Sequence, residues 1–214
     1  MRAKVFLTLP LVIISAGLAL APAPSGSKTR AFNESGVVVD IQNFFAAAAG
    51  AAESYVPLKG DQGRLALVTA SGVYAFLETP ENEVHLRGIT AGDQVELSGK
   101  LLVNGTLLHI DRIRALDEAL NVDLNSYRNA AGMAVTLTGQ NLCQCGLDVG
   151  DLPHSCQLGH RHHLQADDGK IYHYLQYGAA RKAYLGEGSH FRKVIVEVIV
   201  LPGQYLLVES VIIR

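Results

Sequence analysis

The chain has 214 residues, of which 49% are hydrophobic and 18% charged, with 18 basic against 20 acidic side chains and a formal charge of −2. This length accommodates one domain or two small ones. A slightly acidic chain without clustered Lys and Arg excludes a nucleic-acid-binding surface, because phosphates must be met by grouped cations.

Residues 5–21, VFLTLPLVIISAGLALA, form an uncharged apolar run behind Arg2 and Lys4. A basic start, an apolar stretch and small residues after it are the layout of a secretory signal, so this segment is set apart from the fold. Both small-residue exits, at Ala21 and Ala23, are followed by proline. Cleavage and retention as an anchor therefore both stay open, and the chain is expected in the periplasm, touching the membrane only through this segment. Once Arg2 and Lys4 are removed, 16 basic residues face 20 acidic ones. Residues 1–28 are thus signal and lead-in, and the polar stretch SGSKTRAFNESG is expected to be flexible.

From Gly36 onward the chain reads as strands. GVVVDIQNFF is β-branched and aromatic, GRLALVTASGVYAFLET is two runs around Ser71-Gly72, and QVELSGKLLVNGTLLHIDRI is two more around Asn104-Gly105. Asn-Gly suits a two-residue type I′ turn, which needs positive φ at both positions. After residues 117–131, where Leu120, Leu124 and Tyr127 have helical spacing, the plan repeats. MAVTLTGQNL is followed by a hairpin around Asp168-Gly169 and another around Pro202-Gly203. NGTLLHIDRI aligns without gaps on PGQYLLVESV, matching Gly105 to Gly203. PENEVHLRG and GAARKAYLG add a helical segment between the third and fourth strand of each half. Strand, hairpin, short helix, hairpin is the order of the OB-fold. The expectation is an all-β chain with short helices: two tandem OB-like five-stranded β-barrels, at 29–116 and 132–214, joined by a linker at 117–131.

All three cysteines lie in CQCGLDVGDLPHSCQLGHRHH, residues 143–163, with four of the eight histidines. Thiolate suits zinc and Cu(I), and imidazole suits zinc and Cu(II). Cys143, Cys145 and Cys156 with His160 and His162 are therefore the candidate metal ligands. The spacing is not that of a paired zinc motif. An odd thiol count in an exported chain equally allows a disulfide from Cys156 to Cys143 or Cys145 with one thiol left over. Taken as a two-residue turn, Asp168-Gly169 puts His162, Leu164, Ala166, Ile171, His173 and Leu175 on the inner face and His163, Gln165, Tyr172 and Tyr174 outside. His173 is then a core histidine rather than a ligand.

VTLTGQNLCQCGLDVGDLPHSCQ, DDGKIYHYL and VIVEVIVLPGQYLLVESV together resemble a group of uncharacterised exported bacterial OB-like proteins. These carry a close cysteine pair, a third cysteine followed by Gln, as at Cys156-Gln157, and a tyrosine-rich strand after a Gly-Lys turn. The resemblance implies an OB-like fold with metal or redox involvement. This chain departs from it in having Cys-x-Cys where Cys-x2-Cys is usual.

Two functions follow as expectations. One is an exported, non-catalytic protein that binds a soft metal, zinc or copper. The other is a disulfide-stapled periplasmic module that binds or assembles with a protein or glycan. Cys156 near His154 or His160 would supply a thiol and a base, but no oxyanion-donor loop, paired-carboxylate motif or phosphate-binding loop accompanies them. With no Trp, only Tyr172, Tyr174 and Tyr177 offer an aromatic platform, and a protein partner is favoured over nucleic acid.

Overall fold

The computed structural model describes residues 28–46, 65–102, 104–150, 152, 162–177 and 190–214. The signal segment, the alanine-rich loop and the helical segment GAARKAYLG lie outside the described residues. Among those described, no helix is long and apolar enough to cross a membrane.

Five strands make the first barrel: β1 (Thr29–Asp40), β2 (Leu65–Thr69), β3 (Val73–Phe76), β4 (Gln94–Leu102) and β5 (Leu107–Ala115). They close in the order β1-β2-β3-β5-β4, with β3 and β5 parallel and β4 returning to β1. The second barrel repeats this with β6 (Met133–Cys143), β7 (His162–Ala166), β8 (Ile171–Tyr174), β9 (Arg192–Leu201) and β10 (Tyr205–Ile213), where β8 and β10 are the parallel pair. Both are OB-type barrels, as the strand order in the sequence predicts. The match of Gly105 to Gly203 is reproduced in the pairing: Ala75 opposes Leu107 in one barrel and His173 opposes Tyr205 in the other.

Each barrel is filled by its own alternating residues. Val38, Leu67, Tyr74, Leu97 and Ile110 fill the first, and Leu164, Tyr172, Tyr174, Val196 and Val208 the second. The helix α1 (Ile41–Phe44) follows β1 and is capped by the Asp40 carboxylate, which accepts from the N–H groups of Gln42 and Asn43. The helix α2 (Pro80–Leu86) follows β3, with Thr79 as its cap. Buried Asn82 ties α2 to the barrel: its amide donates to the carbonyls of Leu77 and Leu108 at 2.7 and 3.0 Å and accepts from Ile110 N–H at 2.8 Å. The helix α3 (Leu124–Arg128) lies between the barrels in sequence.

Four expectations are corrected. The lead-in is not flexible throughout, because Thr29–Gly36 belongs to β1 and pairs with β4, burying Phe32. Polar residues on its exposed positions gave the stretch the composition of a linker, but the ladder needs only backbone and alternate side chains. Asn104-Gly105 does not form a type I′ turn, since neither residue has positive φ; Leu101 opposes Leu108, which leaves a longer connection. The Asp168-Gly169 hairpin has a three-residue loop: Ala166 N–H donates to Lys170 O, and Gly169 takes φ 84°. That extra residue shifts the register by one, so His163 opposes His173 and Leu164 opposes Tyr172. Tyr172, Tyr174 and Tyr177 are buried, not a surface platform.

The barrels meet across a seam whose contacts occur twice. Gly105 of the β4–β5 connection approaches Ile171 at the start of β8, and Gly203 of the β9–β10 connection approaches Val73 at the start of β3. A Cβ on Gly203 would stand 2.6 Å from Val73 O, and its φ of 73° suits glycine. Gln42, in the helix after β1, accepts at Oε1 from Gln176 N–H at 2.9 Å. Gln144, in the single 3-10 turn after β6, accepts at Oε1 from Glu78 N–H at 2.8 Å and donates to Glu78 O at 2.5 Å. Phe45, Leu77, Leu142, Ile171, Leu175 and Tyr205 form one apolar cluster between the barrels. Replacing Gln144 by alanine removes both bonds to Glu78 and is expected to cost about 1–2 kcal/mol. Urea denaturation of the variant against wild type measures this, and an unchanged midpoint would show that Gln144 does not clamp the seam.

Candidate metal centre

Cys143 is the last residue of β6, and its neighbours are fixed by strand register. On one side it opposes His162, the first residue of β7. On the other, the ladder with β9 ends at Asn141 opposite Arg192, and His190 lies two residues before that strand. Beyond Cys143 the strand breaks into the 3-10 turn Gln144–Gly146, which brings Cys145 back beside it. One sulfur of Cys143, one of Cys145 and one ring nitrogen of His190 all lie within 4.8 Å of one another. Cys143 is fully buried, and the other two are half-buried.

His190 is held from both sides. Its ring stacks on Phe191, centroids 4.3 Å apart and planes 17° apart, and meets the His162 ring at 5.1 Å in an edge arrangement. Phe191 has φ 56°, a conformation that costs a bulky residue about 1–3 kcal/mol and persists only where the surroundings fix it. The surroundings are visible: Phe191 N–H donates to Asn141 O at 2.9 Å, and its ring lies where a Cβ on Gly146 would be, 2.5 Å away. Gly146 therefore leaves room for Phe191 beside the cysteine turn. Next along, Lys28 at the head of the first barrel pairs with Asp148, whose carboxyl is held below its usual range chiefly by that hydrogen bond.

The two described cysteines differ in oxidation state. Cys145 is disulfide-bonded, whereas Cys143 keeps its thiol outside any disulfide. Of the candidates read from the sequence, Cys143 and Cys145 are brought together and His162 stands cross-strand from Cys143. Cys156 and His160 lie outside the described residues. His190 was not anticipated, because it enters from the turn just before β9. Proximity in sequence could not find it, because it lies far along the chain from Cys145 but closing the barrel brings β9 beside β6.

His163 and His173 have another role. His163 Nδ1 lies 3.0 Å from His173 Nδ1, and His173 Nε2 lies 3.0 Å from the hydroxyl of Thr106 in the first barrel. That hydroxyl donates its proton to Gly203 O at 2.6 Å, so His173 donates from Nε2 and accepts at Nδ1 from His163. His173 is a core histidine with both nitrogens engaged, and burial pushes its pKa down to about 3. A cavity of about 40 Å³ beside this pair is lined by Gln42 and Glu78 from one barrel and His162, His163 and His173 from the other.

The arrangement can hold a metal ion at two sulfurs and one imidazole when Cys145 is reduced. Comparison of the chain with models of known protein families, with curated proteins and with solved structures finds no match.

Proposed function

We propose that this chain is an exported tandem-barrel protein that binds one soft metal ion, zinc or copper, and has a protein as its partner. The observation that carries the reading is the Cys143, Cys145 and His190 group within 4.8 Å. Ligand atoms about 2.0 to 2.3 Å from a tetrahedral zinc stand roughly 3.5 Å apart, so side-chain shifts of about 1 Å close the group. Thiolates with imidazole favour zinc or copper over calcium or magnesium, which prefer oxygen. His162, across the strand from Cys143, supports the same chemistry. The metal assists no reaction here; the proposed role is binding.

Elemental analysis of the full chain after reduction tests this. About one metal ion per chain is expected, falling to background in Cys143→Ser and His190→Ala variants. A reduced wild-type chain that holds none would overturn the reading. The disulfide at Cys145 favours a second function, a stapled module whose barrels dock to a protein or glycan. Under that reading no metal is bound in either redox state, and one thiol per chain reacts after denaturation without reductant.

A further inference from the structure

We propose that metal binding at this group is gated by thiol oxidation, the disulfide and the metal being alternative occupants of the Cys145 sulfur. The proposal rests on the metal-binding reading above and adds its regulation.

Three observations carry it. First, the Cys145 sulfur is oxidised while a thiol and an imidazole nitrogen stand within 4.8 Å of it. A sulfur already bonded to sulfur carries no thiolate charge and is a poor zinc ligand, so in this state the group lacks one of its donors. A stabilising staple alone gives no reason for a buried thiol and a held histidine to be packed against it. Secondly, the barrel does not need sulfur to close at this point. By strand register the first barrel has Asp40 where the second has Cys143, and Asp40 caps the following helix with its carboxylate, whereas the Cys143 side chain makes no capping bond. Thirdly, His190 stacks on Phe191, which takes a left-handed conformation and lies against Gly146 of the cysteine turn, so the imidazole is held beside the turn while Cys145 is oxidised.

The chemistry balances with a dithiol as reductant. The dithiol gives up two electrons and two protons and becomes a cyclic disulfide. The Cys145 disulfide takes them up and becomes two thiols. A divalent metal then displaces the protons of the Cys143 and Cys145 thiols to solvent as the two sulfur–metal bonds form, with His190 supplying its neutral nitrogen. Oxidation reverses this: the metal leaves, and the sulfur–sulfur bond reforms as a two-electron acceptor, such as another disulfide, is reduced.

Zinc binding by the full chain in its two redox states tests the gate. One preparation is air-oxidised; the other is reduced with a dithiol that is removed under argon before titration, and alkylation counts the thiols in each. Changes outside the ligand shell already cost 10- to 100-fold, so loss of a direct ligand is expected to weaken zinc binding by more than about 100-fold in the oxidised chain. Reciprocally, zinc should slow reoxidation of the reduced chain, because linkage acts in both directions. Equal zinc affinity in both states overturns the gate and leaves the metal-binding reading standing. No zinc in the reduced state overturns that reading and the gate with it. A Cys145→Ser variant, expected to bind zinc weakly under both conditions, separates the role of this sulfur from a general effect of reduction on the fold.

Discussion

Replacing Tyr205 by alanine is expected to destabilise the chain by about 3–5 kcal/mol, the range for removing a large aromatic from a core. Tyr205 opens β10 and is buried, with its ring 5.9 Å from Phe45 of the first barrel and 5.2 Å from His173 of the second. The lost side chain would leave a hole that neither barrel can fill alone, since its wall comes from both. The cost should fall on cooperativity as well as on stability. Wild type is expected to unfold in urea in one transition followed by circular dichroism, and Tyr205→Ala in two, as each barrel loses its support at a different concentration. A single transition with an unshifted midpoint would mean that the seam contributes little to either barrel.

Acid is expected to weaken the same seam through His173. Its folded pKa is lowered by burial to about 3, against 6.5 in the unfolded chain. Between these values the unfolded state binds the proton and the folded state does not, so stability rises with pH through this window. The contribution is fully present above pH 6.5 and is lost as pH falls toward 3. The slope is at most about 1.4 kcal/mol per pH unit. Protonation would also remove the Nδ1 lone pair that accepts from His163. From pH 7 to pH 5 the wild type should therefore lose about 2 kcal/mol through His173. A chain carrying both His163→Ala and His173→Ala copies Ala66 and Ala75, which oppose each other in the first barrel as these histidines do in the second. That variant should lose less stability than wild type over the same interval. An identical loss in both chains would remove His173 from the explanation.

The barrels were legible because their information is local and repeated. Alternating runs, turn residues and one short helical segment in each half set the strand order, and the Gly105 to Gly203 match anticipated which residues pair. The Asp168-Gly169 hairpin was misplaced because the sequence does not distinguish a two-residue turn from a three-residue loop with Gly169 as its left-handed residue. That single residue exchanged the inner and outer faces of β8, while Leu164 and Ala166 of β7 stay inside as expected. It sent Tyr172 and Tyr174 into the barrel, as Tyr74 and Phe76 enter the first. At the site, Cys143 and Cys145 stood out by composition, whereas His190 and the seat of Phe191 are consequences of closing β6 against β9. Which cysteine is oxidised is likewise a matter of folded geometry, and three thiols in one stretch left both pairings open.

The doubled seam has a consequence for how the two halves can change. Its contacts have the form of an isologous dimer interface, in which each patch meets the counterpart of its own partner. Two separate copies of one barrel would receive every substitution twice, and a change suited to one side of the axis would be imposed on the other. Covalent linkage removes that constraint. One half retains Asp40, Ala66 and Ala75, which serve capping and packing, while the other carries Cys143, His163 and His173 on the same framework. Broken symmetry is what lets a single group of two cysteines and a histidine sit at the edge of an otherwise two-fold joint.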